Sequence, residues 1–171
     1  MEETIVDRVY NENKDLLEYL AEKQEVSFQQ DMDNKLKKIL LVSAASFFET
    51  KVTELLIRFF GLKTDNSNEI VSFLKKKALD RQYHSLFDWD KNNINRFLGW
   101  FGEDFKKQAI EEIKEQELEF AAKAFMRLGD LRNQLVHKNM ATFFIEQTNE
   151  EIYDLYKQAL RLIDYLERKL T

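Results

Sequence analysis

Residues 40–60 read LLVSAASFFETKVTELLIRFF and belong to the strongest helical pattern in the chain, which spans 30–60. Apolar side chains recur there every three or four residues, the spacing that lines them along one face of an α-helix. Gly61 follows directly and is a frequent residue at the end of a helix. The apolar face comprises Leu36, Leu40, Ala44, Phe47, Phe48, Val52, Leu55, Leu56 and Phe59. We therefore expect one long helix that buries this face in a core.

Composition extends this expectation to the rest of the chain. Of 171 residues, 44% are hydrophobic and 14 are phenylalanine, which is far more than a disordered chain carries. Proline is absent and glycine occurs four times, so little interrupts long helices, and the short alternating runs of β-strands are missing. The sequence predicts an all-α fold, an up-and-down bundle of four to six helices in a single domain over residues 1–171.

The helix boundaries follow from the same spacing and from capping residues. Gly99 and Gly102 are expected to kink one helix without ending it. Residues 80–93, DRQYHSLFDWDKNN, lack periodicity and are predicted to be a loop with a helical turn. Thr148 and Glu151 have the spacing of a capping box at the start of the last helix. The predicted helices are 3–24, 30–60, 67–79, 94–114, 115–137 and 149–169.

Charge and residue usage limit the classes of function. The net charge of −5 argues against a broadly basic surface for nucleic acid, so any RNA contact must be local. The absence of cysteine rules out disulfides, thiolate zinc sites and a cysteine nucleophile. The two histidines, His84 and His137, lie far apart in the sequence, and the carboxylates are spread along exposed faces. We therefore expect neither a metal nor a cofactor.

No stretch of the sequence has the character of a targeting or membrane segment. The first 15 residues contain no apolar core of signal-peptide length. The longest apolar run, 39–45, is far shorter than the roughly 20 residues that span a bilayer. We expect a soluble cytoplasmic protein without a membrane partner.

The helix predicted over 115–137 departs from its own core pattern at Arg132. A projection at about 100° per residue places Arg132 near the middle of an apolar stripe, where a guanidinium needs polar partners. Asn133 and His137, four residues apart, share the neighbouring face. The stripe consists of Leu118, Ala121, Phe125, Leu128, Leu135 and Val136.

Two interpretations of these polar residues remain open. In the structural one, Arg132 forms a buried ion pair with Asp130 or Glu49, and His137 caps the helix. In the chemical one, His137 moves protons, Arg132 binds a phosphate and Asn133 orients either group. These are the elements of a metal-free phosphodiester cleavage in which the ribose 2′-OH attacks the adjacent phosphorus.

Other residues of the chain suggest simpler roles. His84 lies beside Tyr83 in the irregular stretch and is predicted to be an ordinary surface or loop residue. Most aromatic residues are expected in the core. The group around Trp89, Phe97, Trp100 and Phe101 is richer than a small core requires, and covering a partner surface is the alternative.

At these residues the sequence resembles the HEPN superfamily, whose members are small all-α domains marked by an Arg followed four to six residues later by a His. The match here is Arg132-Asn133-x-x-x-His137, placed late in the chain before a final amphipathic helix. The helix over 40–60 also resembles the corresponding helix of stand-alone prokaryotic members, with an apolar run followed by a small-aromatic-Glu segment at 46–49. The resemblance covers essentially the whole chain.

This resemblance implies a dimer that brings two motifs together in a cleft, and a metal-independent endoribonuclease of a toxin–antitoxin, abortive-infection or phage-defence system. Its implied partners are an RNA substrate, a second copy of the chain and a cognate antitoxin protein. Arg132 and His137 are the implied catalytic residues, with Asn133, Asp130 and Glu49 in support. Other HEPN domains are non-catalytic modules that bind RNA, nucleotides or proteins, and this is the alternative.

Two further expectations concern the motif. The subfamily paired with nucleotidyltransferase antitoxins has a tyrosine two residues after the His, where this chain has Asn139, so regulation through that tyrosine is not expected. On one helix Arg132 and His137 point about 140° apart. Two motifs facing across a twofold axis would instead present the Arg of one chain and the His of the other to one phosphate.

Overall fold

The computed structural model describes residues 3–171 and is 78% helical, which confirms the all-α prediction. No strand occurs within the described residues. Residues 1 and 2, which the single-domain prediction includes, lie outside the described range. The helices are α1 (Ile5–Glu22), α2 (Val26–Lys63), α3 (Asn68–Leu74), α4 (Asn95–Gly99), α5 (Glu103–Glu115), α6 (Glu119–His137) and α7 (Asn149–Leu170).

Four long helices, α1, α2, α6 and α7, pack against one another as the bundle. Aromatic rings join three of them at the centre. The ring of Phe48 in α2 lies 5.5 Å from the rings of both Phe125 in α6 and Tyr156 in α7. All three side chains are almost fully buried, so their burial contributes a large share of the apolar stabilisation. The apolar face of residues 30–60 thus takes the central place expected of it.

Helix α1 is tied to α7 by a buried carboxylate. Asp7 closes a capping box with Thr4 and accepts hydrogen bonds from the Tyr153 hydroxyl (2.6 Å) and the Lys157 ammonium (3.1 Å). Burial alone would raise the pKa of Asp7, but the hydrogen bonds from Tyr153, Thr4 and Lys157 outweigh it and lower the pKa to about 2. Thr148 and Glu151 form the predicted capping box at the start of α7.

The prediction of one kinked helix over 94–114 is wrong, and this break raises the number of α-helices within the described residues to seven. Helix α4 ends at Gly99 and α5 begins at Glu103. Between them Gly102 has a φ of 100°, a left-handed conformation that glycine adopts without the penalty of a side chain. A helix cannot continue through such a residue, so the second glycine separates two helices instead of bending one.

Residues 64–118 join α2 to α6 and are called here the connecting segment. Helix α3 continues into a π-helical turn, Lys75–Leu79, and a 3₁₀ turn, Tyr83–Leu86, lies in the stretch predicted to be irregular. The segment is held by its aromatic residues, because the rings of Phe87 and Phe97 stack 5.0 Å apart and Phe87 packs on Phe125 of α6. Most of its aromatic residues therefore belong to the core. Within residues 3–171 no helix is apolar and long enough to cross a bilayer.

Candidate functional site

Helix α6 carries the Arg132 motif on its last two turns. Leu128, Leu131 and Leu135 are buried against the bundle, so they fix the rotation of the helix. Arg132 is half-buried at the edge of this face. The apolar stripe is confirmed except at Val136, which is 57% exposed because Leu135 faces the bundle in the last turn and the next residue points about 100° away from it.

The guanidinium of Arg132 contacts a histidine and an amide. Its Nη1 lies 2.9 Å from Nε2 of His84 and 3.4 Å from Oδ1 of Asn133. No carboxylate oxygen within residues 3–171 lies within 4.0 Å of it, so the structural interpretation of Arg132 as an ion pair is wrong. The carboxylate of Asp130, predicted to support the site, instead accepts hydrogen bonds from Arg127 and Gln134.

The contact between Arg132 and His84 determines the protonation of the imidazole. A guanidinium has five N–H donors and no acceptor, so Arg132 must donate this hydrogen bond. Nε2 of His84 therefore holds a lone pair, and the imidazole is neutral with its proton on Nδ1. Partial burial and then the charge of Arg132 lower the pKa of His84, against a smaller opposite effect of Glu49.

Tight packing between the connecting segment and α6 holds His84 in place. The indole N–H of Trp89 donates to the carbonyl oxygen of His84 at 2.9 Å. The same indole lies directly on the backbone of α6 at Gly129, where a Cβ atom would overlap its six-membered ring. Gly129 is therefore needed for close approach, and the position of His84 depends on a helix that is distant from it in sequence.

A small cavity lies between α2, α6 and the 3₁₀ turn, next to these polar groups. Glu49, Tyr83, His84, Arg132 and Asn133 line it together with apolar side chains. The pKa of Tyr83 is raised, first by burial and then by the negative charge of Glu49. The cavity measures about 10 Å³, room for about one water molecule. A larger ligand would therefore bind at its mouth, against the exposed side of His84.

His137 is the last residue of α6 and is exposed. Lys138, and not His137, occupies the position that caps the helix. The charge of His137 contributes to the lowered pKa of His84, so the two imidazoles are close enough to interact electrostatically. Asn139 accepts a hydrogen bond from the Ala141 N–H in the turn after the helix.

The structure thus brings together Arg132, Asn133 and Glu49 of the predicted site, leaves His137 at its edge and directs Asp130 elsewhere. It adds His84, for which a simple surface position was predicted. Spacing along the chain could not reveal this residue, because 48 positions separate it from Arg132. The aromatic residues on both sides of it, Tyr83 and Trp89, were the available signal that this stretch packs on the bundle.

A second, larger cavity of about 390 Å³ lies on the other side of the 3₁₀ turn. Its walls are aromatic and aliphatic, with Lys77, Gln82 and Ser85 as polar residues. Trp100 lies at this cavity and is 63% exposed, so the core does not absorb it, and Phe73 of the same connecting segment is similarly exposed at 61%. Within residues 3–171 no group of three or more histidine, aspartate or glutamate side chains is arranged to hold a metal ion.

In a comparison with known protein families, the model described as RiboL-PSP-HEPN matches residues 7–171. The matched range contains α6 with its Arg-Asn-x-x-x-His motif, α2 and the connecting segment that carries His84. Comparisons with curated proteins and with solved structures gave no significant match. Because the family model covers nearly the whole chain, the protein belongs to the RiboL-PSP-HEPN family.

Proposed function

We propose that the protein is a metal-independent endoribonuclease of a toxin–antitoxin or phage-defence system that cleaves RNA at its Arg132-Asn133-x-x-x-His137 motif. The observation that carries the proposal is the guanidinium of Arg132. It is half-buried and contacts an imidazole and an amide, and the Glu49 carboxylate that lines the same cavity lies more than 4.0 Å from it, so within residues 3–171 no ion pair occupies its donors. A phosphate diester, which is anionic and accepts bidentate hydrogen bonds, supplies the missing partner.

Membership of a HEPN family supports a nuclease or another RNA-related role. We assign phosphate binding and charge stabilisation to Arg132, orientation of the guanidinium to Asn133, and proton transfer to His137. The exposed position of His137 at the end of α6 makes it accessible to an RNA strand that passes over the motif. Cleavage then needs groups that transfer protons and one that stabilises negative charge, which these side chains supply without a divalent ion.

His137→Ala tests this assignment, with the adjacent exposed residue as the matched control. Removal of a general acid or base lowers rates by about 10²–10⁴-fold, so His137→Ala should lose most RNA cleavage while remaining folded. Lys138→Ala removes a neighbouring positive charge but no proton-transfer group and should retain nearly full activity. Cleavage by His137→Ala at the wild-type rate would contradict the assignment of proton transfer to His137 and of cleavage to this motif.

We further propose that the active form is a homodimer whose interface includes the end of α6. Three exposed apolar side chains, Val136, Met140 and Phe144, lie at and just after this end. Exposed apolar groups that recur beside one motif are typical of an interface. A second copy would cover them and place the Arg of one chain near the His of the other.

Mixing two inactive variants tests whether the site is shared between chains. Heterodimers of Arg132→Ala and His137→Ala would place both defects in one composite site and leave the other intact, so partial activity should return. A strict monomer in light scattering at micromolar concentration, or mixtures that stay inactive although heterodimers form, would contradict the shared site. The adjacent gene is the direct test of context, and an antitoxin or a defence ATPase is expected there.

The alternative is a non-catalytic module that binds a nucleotide, and the larger cavity favours it. Nucleobases stack on aromatic rings, and Lys77 at the wall can neutralise a phosphate. Such a module would bind labelled mononucleotides through Trp100 and would not depend on Arg132. Binding that Trp100→Ala abolishes and Arg132→Ala leaves unchanged, without RNA cleavage by the wild-type protein, would establish this alternative.

A further inference from the structure

We propose that His84 is the second proton-transfer group of the site, the general base that takes the proton of the ribose 2′-OH. His137 is then the general acid that protonates the leaving oxygen. This inference rests on the proposed nuclease function and adds to it a catalytic residue that lies outside the Arg132 motif and in a different part of the fold.

The distance between His84 and Arg132 is the first support. Nε2 of His84 lies 2.9 Å from Nη1 of Arg132, so a phosphate that binds this guanidinium comes to rest against the imidazole. The ribose 2′-OH lies next to the reacting phosphorus, because it is attached to the carbon beside the one that carries the 3′-phosphate. A base for the 2′-OH must therefore lie beside the group that holds the phosphate, and His84 occupies that place.

The protonation state of His84 is the second support. As the acceptor of the Arg132 hydrogen bond, the imidazole is neutral before substrate binds, which is the state that a general base requires. When the guanidinium turns to a bound phosphate, the lone pair of Nε2 becomes available for the 2′-OH. The charged and titratable groups that face His84 are Arg132 and His137 of α6, Glu49 of α2 and the neighbouring Tyr83.

The anchoring of the 3₁₀ turn is the third support. The Trp89 indole holds the backbone carbonyl of His84, and Tyr83, which precedes it, is buried with its ring 5.7 Å from the His84 imidazole. The backbone of His84 is thus fixed while its imidazole remains exposed. A base must be held in position and still reach the substrate, and both conditions are met.

The proposed step balances without a further reactant. His84 Nε2 takes the 2′-OH proton, the 2′-oxygen forms a bond to phosphorus, and the bond from phosphorus to the 5′-oxygen breaks. The 5′-oxygen takes a proton from the imidazole of His137, which lies exposed at the C-terminal end of α6. The products are a 2′,3′-cyclic phosphate and a 5′-hydroxyl, and proton exchange with water restores both histidines.

Two substitutions at His84 separate a base from a residue that only positions Arg132. His84→Gln keeps a side-chain oxygen that can accept from Arg132, whereas His84→Ala removes the contact. If His84 is the base, both variants lose about 10²–10⁴-fold in kcat/KM, and both lose the fall in activity at acidic pH that protonation of His84 causes. Ser85→Ala, on the same turn, is the control and should match the wild type in rate and in pH profile.

Recovery of activity and of the wild-type pH profile in His84→Gln would overturn the proposal and reduce His84 to a positioning residue. Wild-type kinetics in His84→Ala would overturn it as well, with the nuclease proposal left intact. Absence of cleavage by the wild-type protein would instead contradict the nuclease function itself, and the role of His84 with it. The two failures can therefore be told apart in one assay. If the wild-type protein cleaves RNA, the His84 variants test the role of His84, and if it does not, the nuclease function itself is contradicted.

A binding measurement gives a readout that does not depend on turnover. The probe is a DNA oligonucleotide with the base sequence of a cleaved RNA, which carries the same backbone phosphates but lacks the reacting 2′-hydroxyl. When its phosphate replaces His84 as partner of Arg132, the pKa of His84 should rise, and NMR titration of the imidazole C–H resonances in His137→Ala detects this rise without overlap. An unchanged pKa of His84 while the probe is bound would contradict the placement of phosphate beside His84.

Discussion

The four-helix bundle and the connecting segment differ in how regular their backbone is. The bundle helices α1, α2, α6 and α7 are regular and join through buried apolar faces. The connecting segment contains a π-helical turn, a 3₁₀ turn and several residues with positive φ, among them Arg81 and Gly102. Yet the bundle contributes Arg132 and the segment contributes the imidazole that faces it. The regular helices hold Arg132 in a stable position, and the irregular segment packed on them adds an imidazole that the bundle alone does not place there.

The largest expected difference between the two regions is in stability. Phe48→Ala removes a ring that packs on both Phe125 and Tyr156, and losses of this kind cost about 3–5 kcal/mol. Trp100→Ala removes a larger but mostly exposed ring in the connecting segment and should change the free energy of unfolding by much less. Urea unfolding of both variants measures the contrast. Equal destabilisation would mean that the segment is as much a part of the core as the bundle.

Arg132→Ala should have the next largest effect, and this effect should be on the rate of RNA cleavage. Loss of an electrostatic stabiliser costs about 10²–10³-fold in rate, while the half-buried guanidinium has no ion pair to lose from the folded state. Arg127→Ala is the matched control, because Arg127 lies one turn and a half earlier on α6 and pairs with Asp130 outside the site. We expect normal cleavage by Arg127→Ala and nearly unchanged melting temperatures for both, measured by circular dichroism.

Gly129→Ala disrupts the contact between the two regions and should have an intermediate effect. A methyl group there overlaps the Trp89 indole, and overpacking costs about 1–3 kcal/mol, partly offset by the gain of about 1 kcal/mol for alanine in a helix. Displacement of Trp89 also releases the carbonyl oxygen of His84. The rate of RNA cleavage should therefore fall even under conditions in which the variant remains folded. Gly99→Ala is the control, since its Cβ meets the nearest atom at an ordinary 3.9 Å. Unchanged activity in Gly129→Ala would show that His84 does not depend on this packing.

The smallest expected effect is the pH dependence that Asp7 gives to the bundle. Because its pKa is lowered from 3.8 to about 2 in the folded protein, the ionised carboxylate stabilises the fold above about pH 4. This stabilisation, on the order of 1–2 kcal/mol, is lost as the pH falls from about 4 to 2. The difference in unfolding free energy between wild type and Asp7→Asn should therefore shrink across that window. A constant difference would mean that the carboxylate is not selectively stabilised in the folded state.

The regular parts of the fold were predictable because their signals are local. Apolar spacing located α2 and α6, and the Thr148 box located the start of α7 to the residue. The break at Gly102 was missed because a glycine in a helical pattern does not reveal its own φ. Val136 was misplaced because a helical projection does not show which residues at the margin of an apolar stripe face a neighbouring helix, and in the last turn Leu135 does so while Val136 does not.

The site was predictable only on the bundle side. Arg132 stood out because it interrupts an apolar pattern, and Asn133, placed on the neighbouring face, contacts it in the structure. His84 was assigned to the surface because no spacing along the sequence relates it to Arg132, and its aromatic neighbours indicate packing but not a polar partner. Its partner lies on another helix and is reached only through the close approach of Trp89 to Gly129, a tertiary contact without a periodic signal.

The most direct test of the account is RNA cleavage by the purified protein in excess EDTA, with analysis of the product ends. A site of this kind, with histidines for proton transfer and Arg132 for charge stabilisation, should cleave at an undiminished rate under chelation. It should leave 2′,3′-cyclic phosphate and 5′-hydroxyl ends, because the attacking group is the neighbouring 2′-OH. Cleavage that stops with EDTA, returns with magnesium and leaves 3′-hydroxyl ends would contradict the central claim.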